Sequence, residues 1–453
     1  LSRALKPALT TAGAAIAQGG TWARAIGKED DEKARRQLDR AIRSAQQVAD
    51  LMGEMKGAFM KLGQLLSFAD TSMLPAQVRD VLASLQADAP PMAYDLVAEV
   101  VEQELGRPPD EAFDWFSPAP MAAASIGQVH MARLGDDEVV VKVQYPGVAE
   151  AVAADLNNAG LMAALAGTIR PFVRQYMGHI DVKALTEELR VRVLEELDYV
   201  NEAANQRAFA DVYRGHPYIR IPEVVGERST GRVLTSAYHD GMRYAAAVED
   251  TKERRDTWGE VVCRFGFGSI YRYGMANADP HPGNYLFHED GTVTFLDFGC
   301  IKRFSPEQVG QVIAVGRAAL ADDADMYAEA MADAGFVPRH NPKLVQPLYR
   351  AMRTAYLPLH EEQPWTYTPE RGREMVEASL GLNEDYRAIA RDFELPPDYL
   401  FLGRVAVGNH SVLTGLRATG YWRAVFEELW GGEPATEVGR AEQRWRESRA
   451  ARA

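Results

Sequence analysis

Four groups of residues could do chemistry together. Leu296-Asp297-Phe298-Gly299 ends an apolar, strand-like run, and an aspartate there, before a flexible glycine, is suited to holding a divalent cation against phosphate oxygens. Upstream, Asp279-Pro280-His281-Pro282-Gly283-Asn284 sets an aspartate five residues ahead of an asparagine. That interval lets the carboxylate face an acceptor while the amide takes a metal. Val139-Val140-Val141-Lys142 puts a lysine into an apolar strand, where it needs an anionic partner or a route to solvent. Glu195-Glu196-Leu197-Asp198-Tyr199-Val200-Asn201-Glu202 supplies candidate partners on a helix. Glu195, Asp198 and Glu202 share a face, and Glu196 sits about 100° around from Glu195. Taken singly, the groups read as a turn after a strand, a proline-rich surface turn, an outward-pointing edge lysine and a solvated acidic face.

Their order along the chain is that of a protein kinase: lysine strand, acidic helix, catalytic-type loop, Asp-Phe-Gly. Short strand-like runs at 285–288 and 292–296 lie between Asn284 and Asp297, and pairing as a hairpin would return both side chains to one place. The glycine-rich phosphate loop of kinases is missing. Ahead of Lys142 stands Ala122-Ala123-Ala124-Ser125-Ile126-Gly127-Gln128, and alanine lacks the positive φ values open to glycine, so this segment should be stiffer and approach a nucleotide differently.

With these marks the sequence resembles the UbiB/AarF/ADCK family of atypical protein-kinase-like ATPases. The resemblance is carried by AAASIGQVH, the lysine strand running into Val143-Gln144-Tyr145-Pro146-Gly147-Val148, the ELDY run around Glu202, the DPHPGN loop, LDFG, and Lys61-Leu62-Gly63-Gln64, similar to the family's KxGQ motif. It covers most of residues 50–300. Read without the family, Lys61 is an ordinary solvent lysine of an amphipathic helix. The resemblance implies instead that this helix crosses the nucleotide site, that Lys61 and Gln64 reach into it, and that Lys61 pairs with Glu196 or Asp198, leaving Glu202 for Lys142.

It also implies ATP or ADP with Mg²⁺ as ligands. Ala122, Ala123, Ala124, Ser125, Gln128 and Lys142 would line the nucleotide, Asn284 and Asp297 would take the metal, and Asp279 would orient the attacking oxygen. Water is the expected acceptor, in an ATPase cycle supporting isoprenoid quinone or lipid metabolism, with a quinone precursor and biosynthetic enzymes as partners. A nucleotide-gated noncatalytic scaffold and a conventional Ser/Thr protein kinase are the alternatives. Two departures stand out. Asn277 replaces the histidine that opens this loop in many relatives, and the 60 residues from Lys142 to Glu202 exceed the usual kinase interval, so 145–179 reads as an insertion.

The elements that must position these residues are legible in outline. Apolar positions from Leu38 through Ile42, Met52, Phe59 and Leu66 step by three or four, a long amphipathic helix over 33–68. A further helix within 75–105 stops at Gly106, Pro108 and Pro109. Runs at 128–134 and 138–144 around Gly135-Asp136-Asp137 predict a hairpin. Helical patterns follow over 181–213 and 246–273, with strand-like runs at 220–226 and 232–238 between them, and a helical remainder follows residue 304. Trp365, Tyr367, Tyr399, Phe401, Trp422 and Trp430 there read as core. The expected fold is α+β and bilobal, kinase-like, with a helical extension (1–115), a small lobe with inserted helices (116–243) and a mostly helical C-terminal lobe (244–453).

Composition narrows the rest. Fifty basic against 64 acidic residues leave a net charge of −14 in 453 residues, which opposes a phosphate backbone and argues against nucleic acid as partner. Cys263 and Cys300 are too few for a disulfide framework, favouring a reducing, cytoplasmic setting. The most apolar stretch, 159–173, is interrupted by glycines, Arg170 and Pro171 and predicts no transmembrane helix. Residues 1–27 fit either a loose tail or a weakly amphipathic helix in peripheral contact with a membrane.

Overall fold

The computed structural model describes residues 92–150 except 125, 197–338, and 341–451 except 380–383, 390–391, 395 and 397–398. Lys61, Gln64, Ser125 and Glu196, the helix expected over 33–68 and most of the expected insertion lie outside these residues.

The first described helix, α1 (Tyr94–Leu105), buries Val97, Val100 and Val101 and ends at Gly106, whose left-handed backbone (φ 73°) donates to Glu102 O. Spacing of three and four puts those valines on one stripe. The stripe covers an antiparallel sheet of β1 (Trp115–Phe116), β2 (Ala122–Ala124), β3 (Gly127–Leu134), β4 (Asp137–Gln144) and β6 (Val233–Ala237), ordered β1-β3-β4-β6 with β2 paired to β3. Leu134 faces Asp137 across the expected tight turn, with Gly135 at φ 60°. One sheet face buries Ala132, Val139, Val141, Val143 and Val233 against α1. The expected boundary after residue 115 is therefore corrected: it cuts β1 in two and detaches α1 from the core it completes.

Helix α2 (Tyr199–Tyr213) follows, capped by Asp198, whose carboxylate accepts from the backbone N–H of Val200 and Asn201. Asp198 is thus a cap in extended conformation rather than a member of a helical face running on from 181. Strand β5 (Ile219–Arg220) joins the helical lobe in a small sheet, parallel to β9 (Val293–Phe295), which pairs antiparallel with β8 (Tyr285–Phe287). β7 (Met275–Asn277) pairs with β10 (Ile301–Arg303), and β11 (Trp365–Thr366) with β12 (Thr419–Gly420).

The helix expected over 246–273 is three pieces. Thr251, extended, caps α3 (Lys252–Cys263) by accepting from Arg254 N. A π-helical turn, Arg264–Gly268, then leads into α4 (Ser269–Tyr273), closed by Gly274 at φ 63°. The remainder is helical: α5 (Pro306–Leu320), α6 (Ala324–Asp333), α7 (Val345–Arg353), α8 (Pro369–Ser379), α9 (Leu400–Leu416), α10 (Trp422–Leu429) and α11 (Glu437–Ala450).

Trp365, Tyr367, Tyr399, Phe401, Trp422 and Trp430 are all buried, in core positions as their sequence setting suggests. Arg264, on the π-helical turn, is 1% exposed. It binds Glu428 (2.5 Å), Glu442 (3.0 Å) and Glu260 (2.8 Å), while Arg272 pairs with the same Glu428 and Glu442. Two guanidinium groups and three carboxylates thereby tie α3, α4, α10 and α11 together. Among the described residues no helix is long and apolar enough to cross a membrane.

Candidate nucleotide site

The period of two along β4 decides which side chains face α1 and which face α2. Val141 and Val143 go into the sheet core, so Lys142 and Gln144 project from the other face. Both reach α2. Gln144 Nε2 donates to Leu197 O at 2.7 Å, and Lys142 Nζ donates to both carboxylate oxygens of Glu202 at 2.8 and 2.9 Å. Glu202 lies in the first turn of α2, its N–H bonded to Asp198 O, so the cap sets the register that delivers the carboxylate to the lysine. Burial works against the charge on Lys142, but Glu202, with Tyr199 and Asp297, outweighs it and raises the pKa above its ordinary value. Tyr199 lies beside the pair, its ring centroid 4.9 Å from Nζ.

The alanine segment is a strand rather than a loop. Ala122, Ala123 and Ala124 form β2, paired to Val129, Gln128 and Gly127. A Cβ on Gly127 would sit 2.1 Å from Val143 O, so only glycine lets β3 close onto β4 there. Gln128 needs a correction. It shares the buried face with Val143, its cross-strand partner, and its side chain accepts from Met92 N (3.0 Å) and contacts His130 Nε2 (3.0 Å). Its amide is therefore spent beneath the sheet, on the face opposite Lys142.

In the helical lobe, β8 and β9 pair as the hairpin predicts. Leu296 N donates to Asn284 O at 3.0 Å, setting Asn284 across from the residue that precedes Asp297. Asn277 joins the two loops, since its Nδ2 donates to Asp297 O (2.7 Å) and its Oδ1 accepts from Asp279 N (3.0 Å). The asparagine at that position thus ties the Asp279 loop to the Asp297 turn. His281 Nδ1 accepts from Gly283 N at 3.1 Å and caps the 3₁₀ turn Pro282–Asn284, so the imidazole has a structural task. Asn284 Nδ2 donates to Asp279 Oδ2 at 3.2 Å. Asp297 Oδ1 accepts from Gly299 N at 3.0 Å, while Phe298 is fully buried, 5.2 Å from Phe209 of α2, and its carbonyl accepts from Asn205. One helix therefore carries Glu202 to the lysine and docks the Asp-Phe-Gly turn.

A residue that sequence reasoning missed completes the loop. Arg404 of α9 donates to Asp279 Oδ1 at 2.6 Å. One turn further along α9, Gly408 backs onto Pro280, where a Cβ would come within 2.1 Å of the ring. The only signal was an arginine and a glycine four apart in an apolar helix, which by itself names no target.

The donor set fits a magnesium nucleotide. Lys142 offers one ammonium for phosphate oxygens, and Asn284 and Asp297 offer hard oxygen ligands of the kind Mg²⁺ takes alongside substrate phosphates. Among the described residues no cluster of three or more His, Cys, Asp or Glu could hold a metal by itself, so a cation here would share its ligands with an amide and a phosphate.

The lysine–glutamate pair on a five-stranded sheet, the looped aspartate and the Asp-Phe-Gly turn define a protein-kinase-like fold. A family model, the ABC1 atypical kinase-like domain, matches residues 84–331, more than half of the chain. The chain belongs to that family. It is 35% identical over 266 residues to an uncharacterized chloroplastic aarF domain-containing protein kinase of Arabidopsis thaliana, covering 58% of this chain and 36% of the relative. It is 31% identical over 262 residues to the mitochondrial atypical kinase COQ8 of Saccharomyces cerevisiae, covering 57% and 51%. The chain thus spans about a third to a half of the length of these curated relatives. Among solved structures it is similar to a Mycobacterium tuberculosis protein in complex with erythromycin, with 31% identity, a TM-score of 0.61, and coverage of 88% of this chain and 98% of that one.

Proposed function

We propose that the protein is an atypical kinase-type ATPase that binds ATP or ADP with Mg²⁺ and serves isoprenoid quinone or lipid metabolism. The observation that carries this reading is the convergence of Lys142, locked to Glu202, with the Asn277-linked pair of Asp279 and Asp297. Lys142 holds phosphate oxygens. Asp279, fixed by Arg404 and Asn284, orients the attacking oxygen and accepts its proton. Asn284 and Asp297 would hold the metal, which would supply positive charge against the phosphate oxygens. Water as acceptor, the role of Lys61 and Gln64 over the site, and the quinone or lipid context rest on the family resemblance. The M. tuberculosis relative, solved in complex with erythromycin, supports a small molecule as second ligand.

A nucleotide-gated scaffold is the second reading, favoured by one observation: both oxygens of Asp279 accept hydrogen bonds, which weakens it as a base. Magnesium-dependent phosphate release by the purified chain, with and without anionic lipid vesicles, separates the two readings. The ATPase predicts release that falls at least about 100-fold in Asp279→Asn and Asp297→Asn and changes in Lys61→Arg. Nucleotide-dependent melting without release, indifferent to Asp279→Asn, selects the scaffold. Equal release in all the variants refutes the site.

A further inference from the structure

Tyr199 is the first residue of α2, three positions ahead of Glu202 and so on its face of the helix. It is fully buried, and among the described residues its hydroxyl has no hydrogen-bond partner. A buried polar group without a partner is rare and costly in a native protein, and each one calls for an explanation. Packing does not provide it, because phenylalanine would fill the same volume at no such cost. The surroundings do. The ring lies beside the Lys142 ammonium, and the phenol is within electrostatic range of Lys142, Glu202, Asp297 and Tyr145. Both Glu202 oxygens are already engaged by Lys142. An anionic oxygen brought in beside the lysine would supply the acceptor that the described residues do not.

We propose that Tyr199 is a ligand-binding residue whose hydroxyl donates to a phosphate oxygen of the nucleotide held by Lys142. This rests on the nucleotide-binding reading above and adds a recognition group to it. Burial raises the phenol pKa, so the group remains an O–H donor at all physiological pH values. Since none of the described residues accepts from this hydroxyl, its hydrogen bond to the nucleotide contributes to binding rather than to folding.

The test is Tyr199→Phe beside Lys142→Met, with Mg·ADP as probe, read by calorimetric Kd and by the Tm of the nucleotide-free protein. The expected result is a nucleotide-free Tm equal to or above that of the parent, with Kd weakened about 10- to 100-fold, as for one hydrogen bond to a charged group. Unchanged affinity in Tyr199→Phe, while Lys142→Met abolishes binding, overturns the role of Tyr199 and leaves the nucleotide site standing. A lowered nucleotide-free Tm also overturns it, because the hydroxyl would then have a partner within the fold. No Mg·ADP binding by the parent protein removes the nucleotide reading and this inference together.

Discussion

Lys142 and Glu202 depend on each other in a way that can be measured. Removing the lysine strands a carboxylate that is 3% exposed, and breaking one side of such a pair costs about 3–5 kcal/mol. Lys142→Met should therefore lower Tm and abolish nucleotide binding. Adding Glu202→Gln should restore most of the Tm and none of the binding, which thermal denaturation and calorimetry on the same samples will show. The pKa of Lys142 is raised in the fold, so the stability it confers is complete below its ordinary value of 10.5 and is lost only in more alkaline solution. Nucleotide affinity between pH 6 and 9 should accordingly not follow this group. Lys142 and Glu202 were legible because a charge inside a valine run and a carboxylate on the next recognisable helix have few other uses. Arg404 was not, since 125 residues separate it from Asp279 and nothing local marks an arginine's target. Arg404→Gln should free Asp279 from one of its two anchors and reduce turnover about 10- to 100-fold with little change in nucleotide Kd, a split that steady-state kinetics and calorimetry resolve.

Two elements carry the site as rigid supports. Helix α9 presses Gly408 against Pro280 one turn from the Arg404 contact, so it buttresses the catalytic-type loop by shape and by charge. Gly408→Val should push the loop away, cutting phosphate release while circular dichroism still reports the native helix content. Helix α2 depends on its cap. Asp198→Ala leaves the N–H groups of Val200 and Asn201 without an acceptor and should cost about 1 kcal/mol, read as a shift in the urea midpoint, and it loosens the first turn that carries Glu202. The hairpins around Gly135 and between Asn284 and Asp297 were readable because turn residues and alternating apolar positions are local signals. The breaks at Asp198, at Thr251 and at the π-helical turn were not, because each interrupts an unbroken helical periodicity: a capping side chain decides the first two, and the buried charges of Arg264 accompany the third.

At the scale of the molecule, pH should act through histidines. His130, His216, His239, His288, His360 and His410 all have lowered pKa values, with burial the largest cause in each, and that of His410 is pushed down to about 4. The fold holds them neutral, whereas the unfolded chain takes up protons first as pH falls below about 6.5. Stability should therefore be full above that pH and decline toward pH 4, with His410 alone contributing up to about 3 kcal/mol of the loss. Urea denaturation at pH 7.5 and 5 checks this, and His410→Gln should flatten the slope even if it lowers the plateau. The two-lobed kinase-like plan and the aromatic core were visible in the sequence because composition and periodicity are distributed signals. The ion-pair cluster was not, since its members are ordinary surface-type residues until tertiary structure surrounds them. That cluster makes the last helix a condition of how the two buried guanidinium groups are paired. A polypeptide stopping before Glu437 would take Glu442 from Arg264 and Arg272 and Trp445 from its packing against Tyr213 and His216, and should accumulate as an insoluble, protease-sensitive product even though every residue of the proposed nucleotide site is still present.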